Sequence, residues 1–244
     1  MCGHQHLSGD RPPAARPLAT MLGAWSAALA AGLFVPSQMN PDASDLLVVG
    51  LGNPGPDYAR SRHNVGWTCL EELARRLAVK LDRKRWQARV GAGPRPEGSG
   101  RVWLLMPQTF MNLSGEAVRK AVRDLRLDPS ALWVVYDEID LPLCRLRIRV
   151  GGRSAGHNGV RSIIAALGTD DFVRFRVGVG RPAGSGREAG VRHVLGRFSK
   201  AEQERLGAVV AGVADALELG LRSGVERAMD VYNRAGALGC EELP

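Results

Sequence analysis

A short apolar run, Leu46–Val49, is followed at once by a glycine-rich turn, which is typical of a buried strand. Apolar residues then recur at helical spacing from Asn64 to Val79. Further strand-like and helical segments follow in alternation at Trp86–Ala92, Val102–Met106, Leu113–Leu125 and Leu132–Tyr136. This alternation predicts a single α/β domain with a twisted, mixed and mostly parallel sheet, covered by helices on both faces.

The segment Arg145–Val150 differs from the other strand-like runs because arginine alternates strictly with apolar residues. One face of such a strand packs on the core and the other carries guanidinium groups, so we expect an antiparallel strand near a sheet edge. Beyond it we predict a glycine-rich turn at 151–159, a helix at 160–167 and a strand at 175–180. A flexible loop at 184–190 and two closing helices at 200–219 and 223–233 are expected to follow.

The start of the chain differs in composition from the rest. We expect residues 1–45 to form an N-terminal extension outside the core, 46–235 to form one α/β domain, and 236–244 to form a tail. The predicted location is the cytoplasm, and the alternative is a mitochondrion or plastid if residues 1–38 are a targeting segment. Met39 is a candidate translation start. The run Met21–Val35 is short for a bilayer span, so no membrane association is expected.

Charge and cysteine content bear on partners and compartment. The formal net charge is +8, and the first 45 residues add two arginines against three aspartates, so the positive excess belongs to the predicted domain. Such an excess favours a polyanionic partner, although an arginine-rich composition also fits a GC-rich genome. The cysteines are scattered without a C-x-x-C pair, which predicts neither a disulfide framework nor a zinc site and fits a reducing compartment.

Two glycine motifs match functional signatures that their surroundings do not support. Gly50, Gly52 and Gly55 fit the G-x-G-x-x-G pattern of dinucleotide-binding folds, but the turn continues past them and no acidic residue ends the next strand. Residues 152–156 fit a nucleophile elbow with Ser154, followed in the required order by His193. That motif caps a strand buried on both faces, whereas the strand here is arginine-faced, so a serine esterase is the weaker alternative.

Several polar residues lie at predicted turns and strand ends. Taken alone, His63 fits a solvated loop residue, Asn112 a helix cap and Asn158 a turn residue. Asp137 differs, because the carboxyl end of a strand is where α/β sheets bind ligands. The segment Leu46–Gly66 places a strand, a tight glycine turn, one asparagine and one histidine close together, so His63 and Asn53 are the first candidates for chemistry.

Five motifs occur together in order: GLGNPG with Tyr58 and Arg62–Asn64, TFMNLSG at Thr109–Gly115, YDEIDLP at Tyr136–Pro142, GHNG at Gly156–Gly159 and VLGRFS at Val194–Ser199. In order and spacing they resemble the bacterial-type peptidyl-tRNA hydrolases over about residues 46 to 233. The resemblance implies hydrolysis of the ester between a peptide and the terminal ribose of tRNA, which recycles tRNA from stalled or aborted translation.

The resemblance also implies residue roles. His63 would be the general base that activates water, and Asp137 would orient and support its imidazole. Arg149 and Arg176 would hold the terminal phosphate of tRNA. Substrate binding and oxyanion stabilisation are implied for Asn53, Asn112 and Asn158, in a cleft also lined by Met111 and Tyr58. A monomer is expected, with no metal, organic cofactor or obligatory protein partner.

Four positions depart from the family pattern: Ala155 and Cys144 stand where glycine is common, Arg153 replaces a small residue, and Ser61 replaces threonine. If Ala155 needs a positive φ, its loop is strained or moved. The strongest competing function is a non-catalytic RNA-binding relative of the same fold. Retention of His63, Asp137 and the three asparagines argues against it.

Overall fold

The computed structural model describes Met1, residues 45–182 and residues 184–241. In this part of the chain seven strands form one sheet: β1 Leu46–Gly50, β2 Arg83–Arg85, β3 Ala88–Pro94, β4 Arg101–Pro107, β5 Leu132–Glu138, β6 Leu146–Val150 and β7 Val173–Gly178. The α-helices are α1 Val65–Arg76, α2 Ser114–Leu125, α3 Asn158–Leu167, α4 Arg187–Leu195, α5 Lys200–Ser223 and α6 Val225–Tyr232. The proposed targeting segment and Met39 lie outside the described residues.

The sheet has the order β2-β3-β4-β1-β5-β7-β6. Its centre, β4-β1-β5-β7, is parallel, whereas β2, β3 and β6 pair antiparallel. The predicted arginine-faced strand is β6, which lies antiparallel at the edge as expected. Because the carboxyl ends of the parallel strands share one edge, the residues that follow β1, β4 and β5 gather there.

Helices cover both faces of the sheet, which confirms the predicted fold class. Helices α1, α5 and α6 pack on the face that presents Val48, Val135 and Phe175. Helices α2 and α3 pack on the opposite face, against Val49 and Val134. None of the helices in the described ranges has the length and apolar content that a bilayer span requires.

The predicted flexible loop at 184–190 is wrong, because helix α4 begins inside it at Arg187. Its N-cap is Gly186, with a φ of 89°, and its one buried side chain is Ala189. A helix that buries so little has weak apolar periodicity, which is why the sequence pattern does not reveal it. Helix α3 also begins earlier than predicted, at Asn158, because the His157 side chain caps it by accepting a hydrogen bond from the Val160 N–H.

The structure corrects the expectation that the cysteines are unpaired, since Cys144 and Cys240 form a disulfide with their Cα atoms 5.6 Å apart. Their separation of 96 residues hides the pair in the sequence. The fold brings them together because the segment after α6 joins the sheet edge, where the Asn233 carboxamide bonds both the N–H and the carbonyl of Ile148. Cys69 is free and buried, and burial raises the pKa of its thiol to about 12.

Candidate active site

Close backbone packing sets the position of His63. A Cβ on Gly66, in the first turn of α1, would lie 2.4 Å from the carbonyl oxygen of Val135 and 2.7 Å from the Leu51 nitrogen. A Cβ on Gly50 would lie 2.4 Å from the Gly66 carbonyl oxygen. Gly50 and Gly66 thus let β1, α1 and β5 meet without side chains. This contact brings the 3₁₀ turn Arg62–Asn64 beside the end of β5.

Two histidines share one carboxylate oxygen at this point. His63 Nδ1 lies 2.8 Å from Asp137 Oδ1, and His157 Nε2 lies 3.0 Å from the same oxygen. All three side chains are more than nine-tenths buried. Burial alone would raise the pKa of Asp137, but the neighbouring His63 and His157 and their hydrogen bonds lower it below its usual range. Asp137 is therefore an ionised acceptor.

The hydrogen bonds define the tautomers of both rings. His157 Nδ1 accepts from the Val160 N–H, so Nε2 carries the proton that it donates to Asp137. His63 likewise donates its Nδ1 proton to the ionised carboxylate, which leaves Nε2 as its basic nitrogen. The His157 ring is also 4.7 Å from the ring of Tyr136, whose pKa burial raises to about 12.

Asn53 is held rigidly at the turn after β1. Its N–H donates to Asn64 Oδ1 at 2.8 Å, and Asn64 Nδ2 donates back to the Asn53 carbonyl at 3.0 Å. The side-chain oxygen of Asn53 accepts the Met111 N–H at 2.7 Å. The amino group of the Asn53 carboxamide is thus left as a hydrogen-bond donor for a ligand.

His63 borders two adjoining cavities. The first, of about 410 Å³, is a cleft whose polar lining includes Asn53, Tyr58, Asn112 and Asn158. Phe110, Met111, Val191, Val194 and Leu195 supply its apolar wall. The second, of about 490 Å³, lies along Asp137, Ile139, His157 and helix α4. Buried acid–base groups in a partly apolar cleft are the usual setting of an enzyme active site.

The arginine face of β6 and β7 borders this site through Glu138. Arg176 donates from Nε and Nη2 to Glu138 Oε2 at 2.8 and 2.6 Å, and Glu138 follows Asp137 in β5. Arg149 is exposed and lies opposite Arg174 across the two strands. Of the predicted phosphate-binding pair, Arg176 is thus linked to the site through Glu138, whereas Arg149 lies on the edge strand and lines neither cavity.

A sequence model of the peptidyl-tRNA hydrolase family matches residues 47–238. The chain belongs to the peptidyl-tRNA hydrolase family. It is 43% identical to the peptidyl-tRNA hydrolase of Trichodesmium erythraeum over 192 residues, covering 77% of this chain and 87% of that one. Identity to the Leifsonia xyli subsp. xyli peptidyl-tRNA hydrolase is 47% over 190 residues, with 78% and 97% covered. The crystal structure of peptidyl-tRNA hydrolase from Acinetobacter baumannii superposes with a TM-score of 0.71 at 33% identity, covering 78% and 95%.

The fold brings together most residues that the family resemblance singled out. His63, Asn53, Tyr58, Met111, Asn112 and Asn158 line one cleft, and Asp137 lies behind His63. Asn158 Oδ1 accepts from Arg161 Nη2 at 2.5 Å, which orients its carboxamide. Sequence reasoning missed His157 and Asn64, although both lie inside quoted motifs. A histidine directly before a helix is the signal that could have identified His157 as a cap.

The elements of the alternative serine esterase do not assemble. His193 Nε2 lies 3.1 Å from the carbonyl oxygen of Val179 and lines a separate cavity with Arg62 and Glu202. Ser154 lies in a groove with Arg153 and Asp170. The glycine loop of this chain thus presents His157 and Asn158, rather than Ser154, to the two cavities that His63 borders.

Among residues 45–182 and 184–241, the cluster close enough to hold a metal ion is His63, Asp137 and His157, whose donor atoms lie within 4.8 Å of one another. Both ring nitrogens already share protons with the carboxylate. A bound metal would replace these protons, so this donor set fits proton transfer better than metal binding.

Both positions where glycine is common in the family have a left-handed backbone here despite carrying side chains. Ala155 has a φ of 46° and Cys144 a φ of 72°. The loop of Ala155 is pinned on both sides, because the buried Arg174 donates to the Arg153 carbonyl at 2.9 Å and His157 N–H donates to the Ser154 carbonyl at 2.9 Å. These bonds hold Ala155 in a conformation that alanine disfavours.

Replacing Ala155 by glycine should raise the free energy of unfolding by up to about 1 kcal/mol, because relief of left-handed strain exceeds the added chain entropy of glycine. Urea denaturation measures this change. Gly156→Ala is the reciprocal control, since Gly156 has a φ of 87° and open space around its Cβ position, and it should destabilise. A loss of stability in Ala155→Gly would contradict the assigned strain.

Proposed function

We propose that this chain hydrolyses the ester bond between a peptide and the terminal ribose of tRNA, releasing both. The observation that carries the proposal is the buried hydrogen bond from His63 to Asp137, which leaves Nε2 as a base at a cleft lined with asparagines. Membership of the peptidyl-tRNA hydrolase family supports the choice of substrate.

In the proposed reaction, His63 Nε2 takes a proton from a water molecule as the water oxygen attacks the ester carbonyl carbon. The imidazolium that forms is stabilised by the ionised Asp137, as in the base and orienter of a hydrolase triad. The tetrahedral intermediate then collapses, the bond from the carbonyl carbon to the ribose oxygen breaks, and His63 gives its proton to that oxygen, which leaves as the ribose hydroxyl. Neither a metal nor an organic cofactor is needed for these steps.

Carboxamides supply the remaining polar contacts. Asn53 offers its amino group because its oxygen is engaged by Met111. Asn112 reaches the cleft from the 3₁₀ turn before α2, and Asn158 reaches it from the first residue of α3. Their neutral donors can stabilise the oxyanion and position the water without altering the proton balance of His63.

The decisive experiment measures release of deacylated tRNA from an N-acyl-aminoacyl-tRNA. His63→Ala should lower the rate by about 10²- to 10⁴-fold or more, which is the usual contribution of a general base. Ser154→Ala is the matched control and should keep the wild-type rate. A wild type that binds this substrate without cleaving it would instead indicate the RNA-binding relative. The reverse ranking of the two variants would indicate a serine esterase.

The proposed terminal-phosphate site comprises Arg149 and Arg176. Each single alanine variant should raise KM about tenfold, because a charge-assisted hydrogen bond to the phosphate is lost. Arg176→Ala also leaves the buried Glu138 without its ion pair, so thermal unfolding is used to verify its fold. The effect should disappear with tRNA that lacks its terminal 5′ phosphate, and the salt dependence of KM should become shallower. Arg227→Ala, on α6 across the sheet, is the control and should leave KM unchanged. Equal effects on phosphorylated and dephosphorylated tRNA would contradict the assignment.

We further infer that residues 46–235 act as a single domain, as a monomer, in the cytoplasm. Peptidyl-tRNA arises where translation takes place, which also leaves a mitochondrion or plastid as the alternative if residues 1–38 are a targeting segment. The single-domain inference is supported by a cleft whose lining residues all lie between Asn53 and Leu195.

A further inference from the structure

Arg62, the residue directly before His63, is buried and reaches a segment more than 130 positions away. Its Nη2 donates to Glu202 Oε2 at 2.6 Å, and its Nη1 donates to the His193 carbonyl at 3.2 Å. Its guanidinium carbon lies 5.3 Å from the centre of the Phe198 ring. One side chain thus joins the turn of the base to the end of α4 and the start of α5.

The backbone around Arg62 is held by the same segment. The Arg62 N–H donates to the Gly196 carbonyl at 3.0 Å, and Ser61 forms an antiparallel bridge with Arg197. A Cβ on Gly196 would lie 3.3 Å from Arg62 Nη1, so glycine allows this close approach. These contacts account for most of the VLGRFS motif, to which the proposed mechanism assigns no role.

The carboxylate that receives Arg62 is itself fixed. Glu202 accepts the Ser199 N–H, and the Ser199 hydroxyl accepts the Glu202 N–H, which together form a capping box at the start of α5. Burial would raise the pKa of Glu202, but the hydrogen bonds from Ser199 and Arg62 keep it below its usual range. Arg62 therefore binds a charged acceptor that belongs to the longest described helix.

Helix α4 depends on this attachment. It carries Val191, Val194 and Leu195 of the cleft wall, yet buries only Ala189. The hydrogen bond from Arg62 to the His193 carbonyl fixes its C-terminal end. The Arg62 guanidinium thus adds a side-chain link between the turn of His63 and the apolar wall, beside the backbone bonds of the same segments.

We propose that Arg62 is a positioning residue. By joining the turn of His63 to the end of α4 and to Glu202, it fixes the position of His63 relative to the apolar wall of the cleft. The inference rests on the proposed function only for its kinetic readout. A displacement of a catalytic base by about 1 Å can lower the rate by about 10²-fold, so a small shift of His63 is measurable.

Arg76 offers a matched control within the same chain. It is the last residue of α1, its side chain is 19% exposed against 11% for Arg62, and it also pairs with carboxylates of α5, Asp215 and Glu218. It also donates to a backbone carbonyl, that of Ala211, at 3.1 Å. Arg76 therefore makes comparable structural contacts at the end of α1 remote from His63.

The test compares Arg62→Lys with Arg76→Lys in the full chain. Arg62→Lys should lower kcat by about 10- to 100-fold with little change in KM. Arg76→Lys should lose as much thermal stability as Arg62→Lys but keep the wild-type kcat. Glu202→Gln should lower kcat in the same direction, and combining it with Arg62→Lys should add little further loss, because both variants break one contact.

A second readout does not depend on turnover. The Nδ1 proton of His63, donated to a buried carboxylate, should give a resolved downfield proton resonance in wild type and Arg76→Lys, and a shifted or broadened one in Arg62→Lys. Equal kcat losses in the two lysine variants, or an unaltered resonance in Arg62→Lys, would overturn the positioning role. A wild type that shows the resonance but no hydrolysis would refute the proposed function instead.

Discussion

Replacing Asp137 by asparagine should lower kcat by about 10³- to 10⁴-fold, a loss comparable to that seen when the orienting carboxylate of a hydrolase triad becomes an amide. Two N–H donors converge on the same Asp137 oxygen, and a neutral amide accepts them more weakly than a carboxylate does. The amide also offers a donor that favours the wrong tautomer of His63. Steady-state hydrolysis of N-acyl-aminoacyl-tRNA, with thermal unfolding to verify the fold, measures the effect.

Asp140→Asn is the matched control, because Asp140 lies three residues further along the chain and pairs with the exposed Arg181 at 3.2 Å. It should keep wild-type kcat. A loss below about tenfold in Asp137→Asn would mean that a group other than the His63–Asp137 pair handles the proton.

Gly66→Ala should destabilise the domain by about 3 kcal/mol or more, at the upper end of the cost of overpacking. The added methyl would meet the Val135 carbonyl and the Leu51 backbone at 2.4 to 2.7 Å, and neither strand can retreat without breaking the centre of the sheet. Any folded fraction should also lose activity, because α1 and the turn of His63 would move away from Asp137. Urea unfolding followed by circular dichroism measures the stability change.

Gly207→Ala tests whether glycine replacement as such is harmful. Gly207 lies within α5 with nothing within 4 Å of its Cβ position, so alanine should stabilise by about 0.5 to 1 kcal/mol through helix propensity. Equal stability of Gly66→Ala and wild type would show that the β1–α1 contact is looser than the distances indicate.

Much of this fold was predictable because buried apolar residues recur along the sequence with the spacing of a strand or a helix. The strict alternation of Arg145–Val150 predicted the edge strand β6, and the continuous apolar runs predicted the buried strands β1 and β5. Helix α4 was missed because it buries one alanine, so no apolar stripe marks it. The Cys144–Cys240 pair was missed because only the tertiary fold brings the two residues together.

The candidate site was less predictable from residue patterns than the fold. His63 and Asp137 are 74 residues apart, and only the motif resemblance predicted that they act together. The contribution of His157 follows from the helix cap and the shared carboxylate, which no residue pattern specifies. The bond from Arg62 to Glu202 likewise depends on how α5 packs against α1.

Asp137 and Glu138 are consecutive residues of β5, and they serve neighbouring tasks: the first binds the two histidines and the second binds Arg176. Successive strand residues are about 3.4 Å apart and point to opposite faces. If Arg176 binds the terminal phosphate as proposed, the separation between that phosphate and the ester beside His63 is set by the sheet rather than by a loop. We therefore expect that a tRNA end one nucleotide longer or shorter would not reach the proposed phosphate site and the catalytic base at the same time.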